Sequence, residues 1–301
     1  MQTIFSRISN KRSPPRDRDL GSDSDVFGFT EQAVSPEHAR CRDSLRYVYC
    51  ARDPSQHMFN RSAHALAPIA HPLPLRQAVV TSFRSRVKSL PLAPESLGEL
   101  VETLQGGLRF AAENCAGVRA VTDLRKGLFH APGREQEGRA LWREAVATAA
   151  FASELAREQG VSIGVSTCAG LLHRVGDAFA QRAMALAESE HGVRLDSPTK
   201  SEICAAHGRD IAERLVREWD LPAAIGVCVI GWRRLGEFVS VSPEAGSVYV
   251  GHVLAGELLH PYLTMSGALD AAGSELGFCV TSIARVREHS SKIRELVCIF
   301  E

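Results

Sequence analysis

Residues 168–180 read CAGLLHRVGDAFA, an apolar run that sets His173 one turn into what reads as a buried helix and follows it with Arg174 and Asp177. Polar and charged groups in such surroundings need partners, because burying them unpaired is expensive. Downstream, residues 207–222 read HGRDIAERLVREWDLP, with Ile211, Leu215 and Trp219 on one helical face and Pro222 as the stop. Two helices thus frame the polar residues.

Working outward, the same periodicity recurs along most of the chain. Pro94 suits a first helical position, and Leu97, Leu100, Val101 and Leu104 then share a face. Trp142, Ala145, Ala149, Ala152 and Ala156 form a stripe of mostly small residues, ended by Gly160, that permits close helix packing. Residues 223–236 are apolar nearly all round, as a central helix would be, and Tyr249, Val253, Gly256 and Leu259 follow at helical spacing before Pro261. Ile283, Val286, Ser290, Ile293, Val297 and Phe300 predict one last amphipathic helix, with Arg285, Arg287, Lys292 and Arg294 mostly off its apolar stripe. Only residues 236–243, GEFVSVSP, have strand character, too short to found a sheet. The expected fold is all-α, a bundle of eight to ten helices.

Composition narrows the function classes. The chain has 301 residues, 45% of them apolar, enough for a sizeable core, and its 35 basic residues balance 35 acidic ones. No global field draws it to nucleic acid or an anionic membrane. Apolar runs fall short of the roughly 20 residues that cross a bilayer, and the first residues lack the apolar centre of a secretory signal, so the cytoplasm is the expected location. Eight cysteines occur without CxxC or Cys/His ligand spacing, and read as small, reduced core residues. Residues 1–75 sustain no apolar period and read as a disordered or weakly ordered leader; the stretch DSLRYVYCA within it offers a single alternation and is taken as loop. Residues 76–140 then form a short N-terminal helical subdomain and 141–301 the helical core.

The order of these pieces resembles the HDOD family, the signalling offshoot of the HD superfamily of metal-dependent phosphohydrolases and a relative of the HD-GYP cyclic-dinucleotide phosphodiesterases. The likeness rests on AGLLHRVGD (169–177), similar to the family's Gly-Leu-Leu-His-Asp-Ile-Gly segment, and on HGRDIAERLVREWDLP, similar to its segment ending in Trp-x-Leu-Pro. It runs from about Leu90 onward and implies an HD-like bundle. The region before Trp142 is compressed relative to the family.

In active HD enzymes, histidines and aspartates hold one or two divalent metals and lower the pKa of bound water. Carried over residue by residue, the early histidine becomes Glu144 and the His-Asp pair becomes His173 and Arg174. The lysine that meets phosphate becomes Asp177, and the next histidine is His207. A later histidine pair becomes Gly231 and Trp232, and the late aspartate becomes Gly256. A guanidinium beside a dication faces roughly twice the about 4 kcal/mol that two unit charges exchange at 4 Å and an effective dielectric of 20. The resemblance therefore implies a vestigial site without metal or other cofactor. Read locally instead, Glu144 is a solvated helix residue, His207 lies near a helix start, and Arg174 with Asp177 is an i,i+3 surface pair worth a few tenths of a kcal/mol.

The expectation is a non-catalytic signal-transduction module that binds a protein partner, neither nucleic acid nor membrane, with homo-oligomerisation left open. Arg174 should pair with Glu144 or Asp177, Trp232 should fill the former substrate space, and Arg285, Arg287 and Arg294 are the candidate partner contacts. The competing reading is a metal-dependent phosphohydrolase or cyclic-dinucleotide phosphodiesterase using Glu144, His173 and His207. A structural or assembly role for the last helix overlaps with the first reading.

Overall fold

The alanine stripe after Trp142 belongs to the helix on which the bundle is built. In a computed structural model that describes residues 73–89, 97–233, 242–260, 262, 269 and 276–301, Glu135–Gln159 form this central helix. Ala145, Ala149 and Ala152 along it are fully buried. Glu135 and Glu137 lie in its first turn, where the helix dipole favours acids, and Gly160 ends it in the left-handed conformation at φ 69°.

In chain order the helices are α1 (Leu73–Ser89), α2 (Leu97–Thr103), α3 (Leu108–Ala112), α4 (Cys115–Leu124), α5 (Glu135–Gln159), α6 (Ile163–Leu172), α7 (Val175–His191), α8 (Ser197–Glu218), α9 (Ala223–Gly231), α10 (Pro243–Leu259), α11 (Val280–Glu288) and α12 (Ser290–Phe300). A 3-10 turn at Leu104–Gly106 and a π turn at Arg125–Phe129 join the short ones. The fold is all-α, and the described residues contain no strand. The helices outnumber the eight to ten expected because α3 and α4 are short pieces and because the last helix divides at His289. The strand-like residues 236–241, the leader up to residue 72 and DSLRYVYCA lie outside the described residues.

Side chains cap three entries: Asn114 accepts from Gly117 N–H, Ser162 from Val165 N–H, and Asp196 from Thr199 N–H. α6 and α10 pack next to one another on the same stretch of α5, at glycines. A Cβ on Gly170 would lie 2.7 Å from Ala149 Cα, and one on Gly251 2.9 Å from both Thr148 O and Ala152 N. Any side chain at these two positions would push the layers apart.

The sequence reading set α1 within the helical subdomain from residue 76 but singled out no helix there. Among its described side chains α1 buries Val79 and Phe83, an i,i+4 step apart, against α7 and α8. These residues, those of α2 to α4 and those of α5 to α12 belong to one continuous hydrophobic core, so residue 140 marks no break in packing. α12 closes the far side of α5: Phe300 is buried, and its carbonyl accepts from Trp142 Nε1 at 2.8 Å and Arg125 Nη1 at 3.4 Å. No helix of the described residues is long and apolar enough to cross a membrane.

Candidate functional site

His173 and Arg174 form the corner between α6 and α7. His173 ends α6 in helical conformation, and Arg174 turns the chain with φ −103° and ψ 12° before α7 begins at Val175. The corner faces Glu144 of α5, Trp232 and Arg233 at the end of α9, and His252 of α10. Glu144, His173, Arg174, Asp177 and Trp232 are all buried, and His252 is half-buried.

Two carboxylates organise the charges. Glu144 Oε1 accepts from Arg174 Nη1 at 2.8 Å and from His252 Nδ1 at 2.9 Å, and lies 4.0 Å from His173 Nε2. Asp177 Oδ2 accepts from Arg174 Nε at 2.5 Å and from Arg233 Nη2. Arg174 therefore bridges the two acids. Burial opposes ionisation of Glu144, but the Arg174 guanidinium and His252 outweigh it and hold the carboxyl well below its usual range.

Hydrogen bonding fixes the imidazoles. His173 Nδ1 lies 2.7 Å from Gly170 O, which can only accept, so Nδ1 carries the proton and Nε2 presents its lone pair. That lone pair lies 3.2 Å from His252 Nδ1, whose N–H is shared between it and Glu144. Burial, reinforced by His252, pushes His173 well below the ordinary histidine pKa despite the opposing pull of Glu144, and the ring is neutral.

Trp232 closes the pocket. Its Nε1 donates to His173 O at 2.8 Å, and its ring stands edge-on to His173 and to His252, each at 4.7 Å between centroids. Arg233 lies over the indole at 4.9 Å. The space beside the imidazoles is thus filled by an indole.

The structure brings together Glu144, His173, Arg174, Asp177 and Trp232, and Gly231 directly precedes the indole that closes the pocket. Arg174 with Asp177 is not the exposed pair of the local reading, and Glu144 is not solvated. Two residues fall elsewhere. His207 lies in the middle of α8 rather than near its start, and its ring packs against Phe83 of α1 at 5.5 Å. Its neighbour Gly208 faces the site instead: a Cβ there would lie 2.5 Å from Asp177 Oδ1. Gly256 sits one turn beyond the residue that does enter, His252. Sequence reasoning missed His252, which lies one turn before the position matched to the late acid, and moving that match back by four residues would have found it. Among Arg285, Arg287 and Arg294, two are tied to the bundle: Arg285 Nη1 pairs with Glu158 of α5 at 2.9 Å, and Arg287 Nη2 holds both oxygens of Glu257 at 3.0 and 2.8 Å. Arg294 is exposed.

Glu144 Oε1, His173 Nε2 and His252 Nδ1 converge within 4.8 Å of one another, a donor set of the kind that holds a divalent metal. The ligand trio expected with His207 is corrected to one with His252. The trio does not fit a metal as it stands, because the carboxylate oxygen it would offer is already bonded to a guanidinium. A dication there would face Arg174 at close range, with repulsion of roughly 8 kcal/mol at an effective dielectric of 20.

Residues 120–230 match the HDOD domain family. The match spans Glu144, the α6–α7 corner and α8, and ends just before Trp232. No curated protein matches the chain. Among solved structures, a protein from Shewanella amazonensis SB2B named "Putative phosphohydrolase" is similar at 12% identity, with a TM-score of 0.45, over 77% of this chain and 99% of that one.

Proposed function

We propose, from the match of residues 120–230 to the HDOD domain, a signalling module related to the HD phosphohydrolases, that this chain is a non-catalytic signal-transduction protein that works through contact with a protein partner. The observation that carries the reading is Arg174. Its guanidinium occupies the oxygen of Glu144 that a metal would need, and a second bond to Asp177 keeps it there. Without a cation of variable coordination there is no water of lowered pKa to act as nucleophile. Arg233 is committed as well, bonded to Asp177 and stacked over Trp232.

A pocket closed in this way transmits nothing by ligand chemistry, and the signalling surface lies outside it. The outward faces of α11 and α12 carry Arg285, Arg287 and Arg294, and Ile299 is 54% exposed. The test is a capture experiment from the native cell extract with wild type, a triple alanine variant of these arginines, and Trp232→Ala. The triple variant should lose capture while its melting temperature falls by no more than a few degrees, since exposed ion pairs contribute at most about 1 kcal/mol each. Normal capture by the triple variant, with loss in a folded Trp232→Ala protein, would return the function to the pocket.

One observation favours the competing reading, a metal-dependent phosphohydrolase: three donor atoms do converge. That reading requires hydrolysis of cyclic di-GMP or a simple phosphodiester with added Mn2+, abolished in His173→Ala. No turnover above background is the outcome expected here.

A further inference from the structure

The same donors raise a question that the functional reading leaves open, namely which cation holds this corner of the bundle together. Glu144, Asp177, His173 and His252 come from α5, the α6–α7 corner and α10, and they bring two buried carboxylates to one place. Such a cluster is stable only with positive charge among its members. We infer that Arg174 is an internal cation standing in for a divalent metal, and that Glu144, His173 and His252 become a metal site once its guanidinium is removed.

The geometry supports both halves of this statement. Arg174 reaches Glu144 with Nη1 and Asp177 with Nε, one group spanning two acids as a bound ion would. The donor trio is already spaced for a metal: 2.9 Å from Glu144 Oε1 to His252 Nδ1, 3.2 Å from His252 Nδ1 to His173 Nε2, and 4.0 Å from His173 Nε2 to Glu144 Oε1. Ligands about 2.1 Å from a tetrahedral zinc lie about 3.4 Å apart, within that range. His173 is also oriented as metal-bound histidines are, with Nδ1–H held by a carbonyl and Nε2 presented to the site. On binding an ion, the neutral His252 ring would change tautomer, its proton passing through solvent from Nδ1 to Nε2, and would ligate through the freed Nδ1 lone pair. What prevents this in the natural chain is the guanidinium bond to Glu144. The inference shares its site with the functional reading but does not depend on any partner.

The experiment compares the full-length wild type, Arg174→Ala, Arg174→Gln and the double variant Arg174→Ala/His252→Ala, all dialysed against chelator and then titrated with Zn2+. Elemental analysis and thermal unfolding are the readouts. Wild type should retain no stoichiometric ion and show no shift in midpoint. Arg174→Ala and Arg174→Gln should each bind about one ion per chain and gain about 5–10 °C at a hundred times Kd, a gain missing from the double variant, which controls for zinc held by cysteines. If the single variants lose their helical signal without metal, its recovery on adding Zn2+ supports the inference and its failure to recover overturns it. Folded single variants that bind no ion also overturn it, as does one ion per chain in wild type that disappears with His173→Ala. Partner capture by wild type bears on the functional reading alone.

Discussion

Replacing Glu144 by Gln preserves side-chain shape and removes one charge from the centre of the buried network. In the wild type, Oε1 accepts from Arg174 at 2.8 Å and His252 at 2.9 Å. In the variant, Arg174 keeps Asp177, but that carboxylate is already shared with Arg233, so two guanidinium groups face one acid. Breaking a buried pair by removing one partner costs about 3–5 kcal/mol, and the retained bond to Asp177 places the expected loss near the lower end, about 3 kcal/mol. For a folded region of this size that is a fall of about 6–12 °C in the unfolding midpoint. The change should also alter the acid limb of stability. Burial opposes the charge on Glu144, yet Arg174 and His252 hold its folded pKa below the unfolded value. Its contribution is therefore complete above about pH 4.3 and drains as pH falls below that, by up to about 1.4 kcal/mol per unit. Chemical denaturation of both proteins from pH 7 down to pH 3 measures the two effects together. A Gln variant within about 0.5 kcal/mol of wild type at pH 7, or one with the same acid slope, would refute the view that Glu144 is held ionised against Arg174.

Gly176→Ala should destabilise the chain by at least about 1–3 kcal/mol, because its Cβ would lie 1.9 Å from Gly208 O where α7 crosses α8; thermal unfolding measures it, and an unchanged midpoint would contradict that crossing. Phe300→Ala should cost about 3–5 kcal/mol and Ile299→Ala less than about 0.5, since one is buried and its neighbour is 54% exposed; equal losses in denaturant titrations would mean that α12 does not dock as described. Among the described cysteines, Cys279 should be alkylated fastest at neutral pH. Hydrogen bonds from the Thr281 hydroxyl and from the backbone N–H groups of Thr281 and Ser282 lower its pKa. Burial instead pushes Cys168 up to about 12 and Cys228 up to about 11. Peptide mapping of a short iodoacetamide pulse would count against this assignment if the exposed Cys115 or Cys298 reacted first.

What the sequence disclosed and what it hid both follow from helical phase. Periodicity exposes a face that is apolar over several turns, which is why α5, α8 and α10 and the stripe from Ile283 to Phe300 were legible. It does not report whether the axis is continuous. Ile283, Val286, Ser290, Ile293, Val297 and Phe300 keep step across His289, although His289 N–H bonds back to Val286 O and the helix restarts there. α1 was not singled out as a helix because the buried stripe among its described side chains is only Val79 and Phe83.

The site obeys the same rule with less tolerance. Arg174, Asp177 and Glu144 were found because short spacing and family likeness fixed their phase within single helices. His207 and His252 depended on how separate helices face one another. A step of one residue turns a helix by about 100°, so Gly208 looks toward Asp177 while His207 looks toward Phe83. A step of four returns to nearly the same face one turn along, so Gly256 and His252 were interchangeable in a sequence match, and only packing against α5 decides which one reaches Glu144. That choice changes the chemistry inferred for the pocket. With Gly256 there, the site would simply lack donors. With His252 there, three donors are present, and what we propose keeps a metal out is the side chain of Arg174, bonded to both carboxylates.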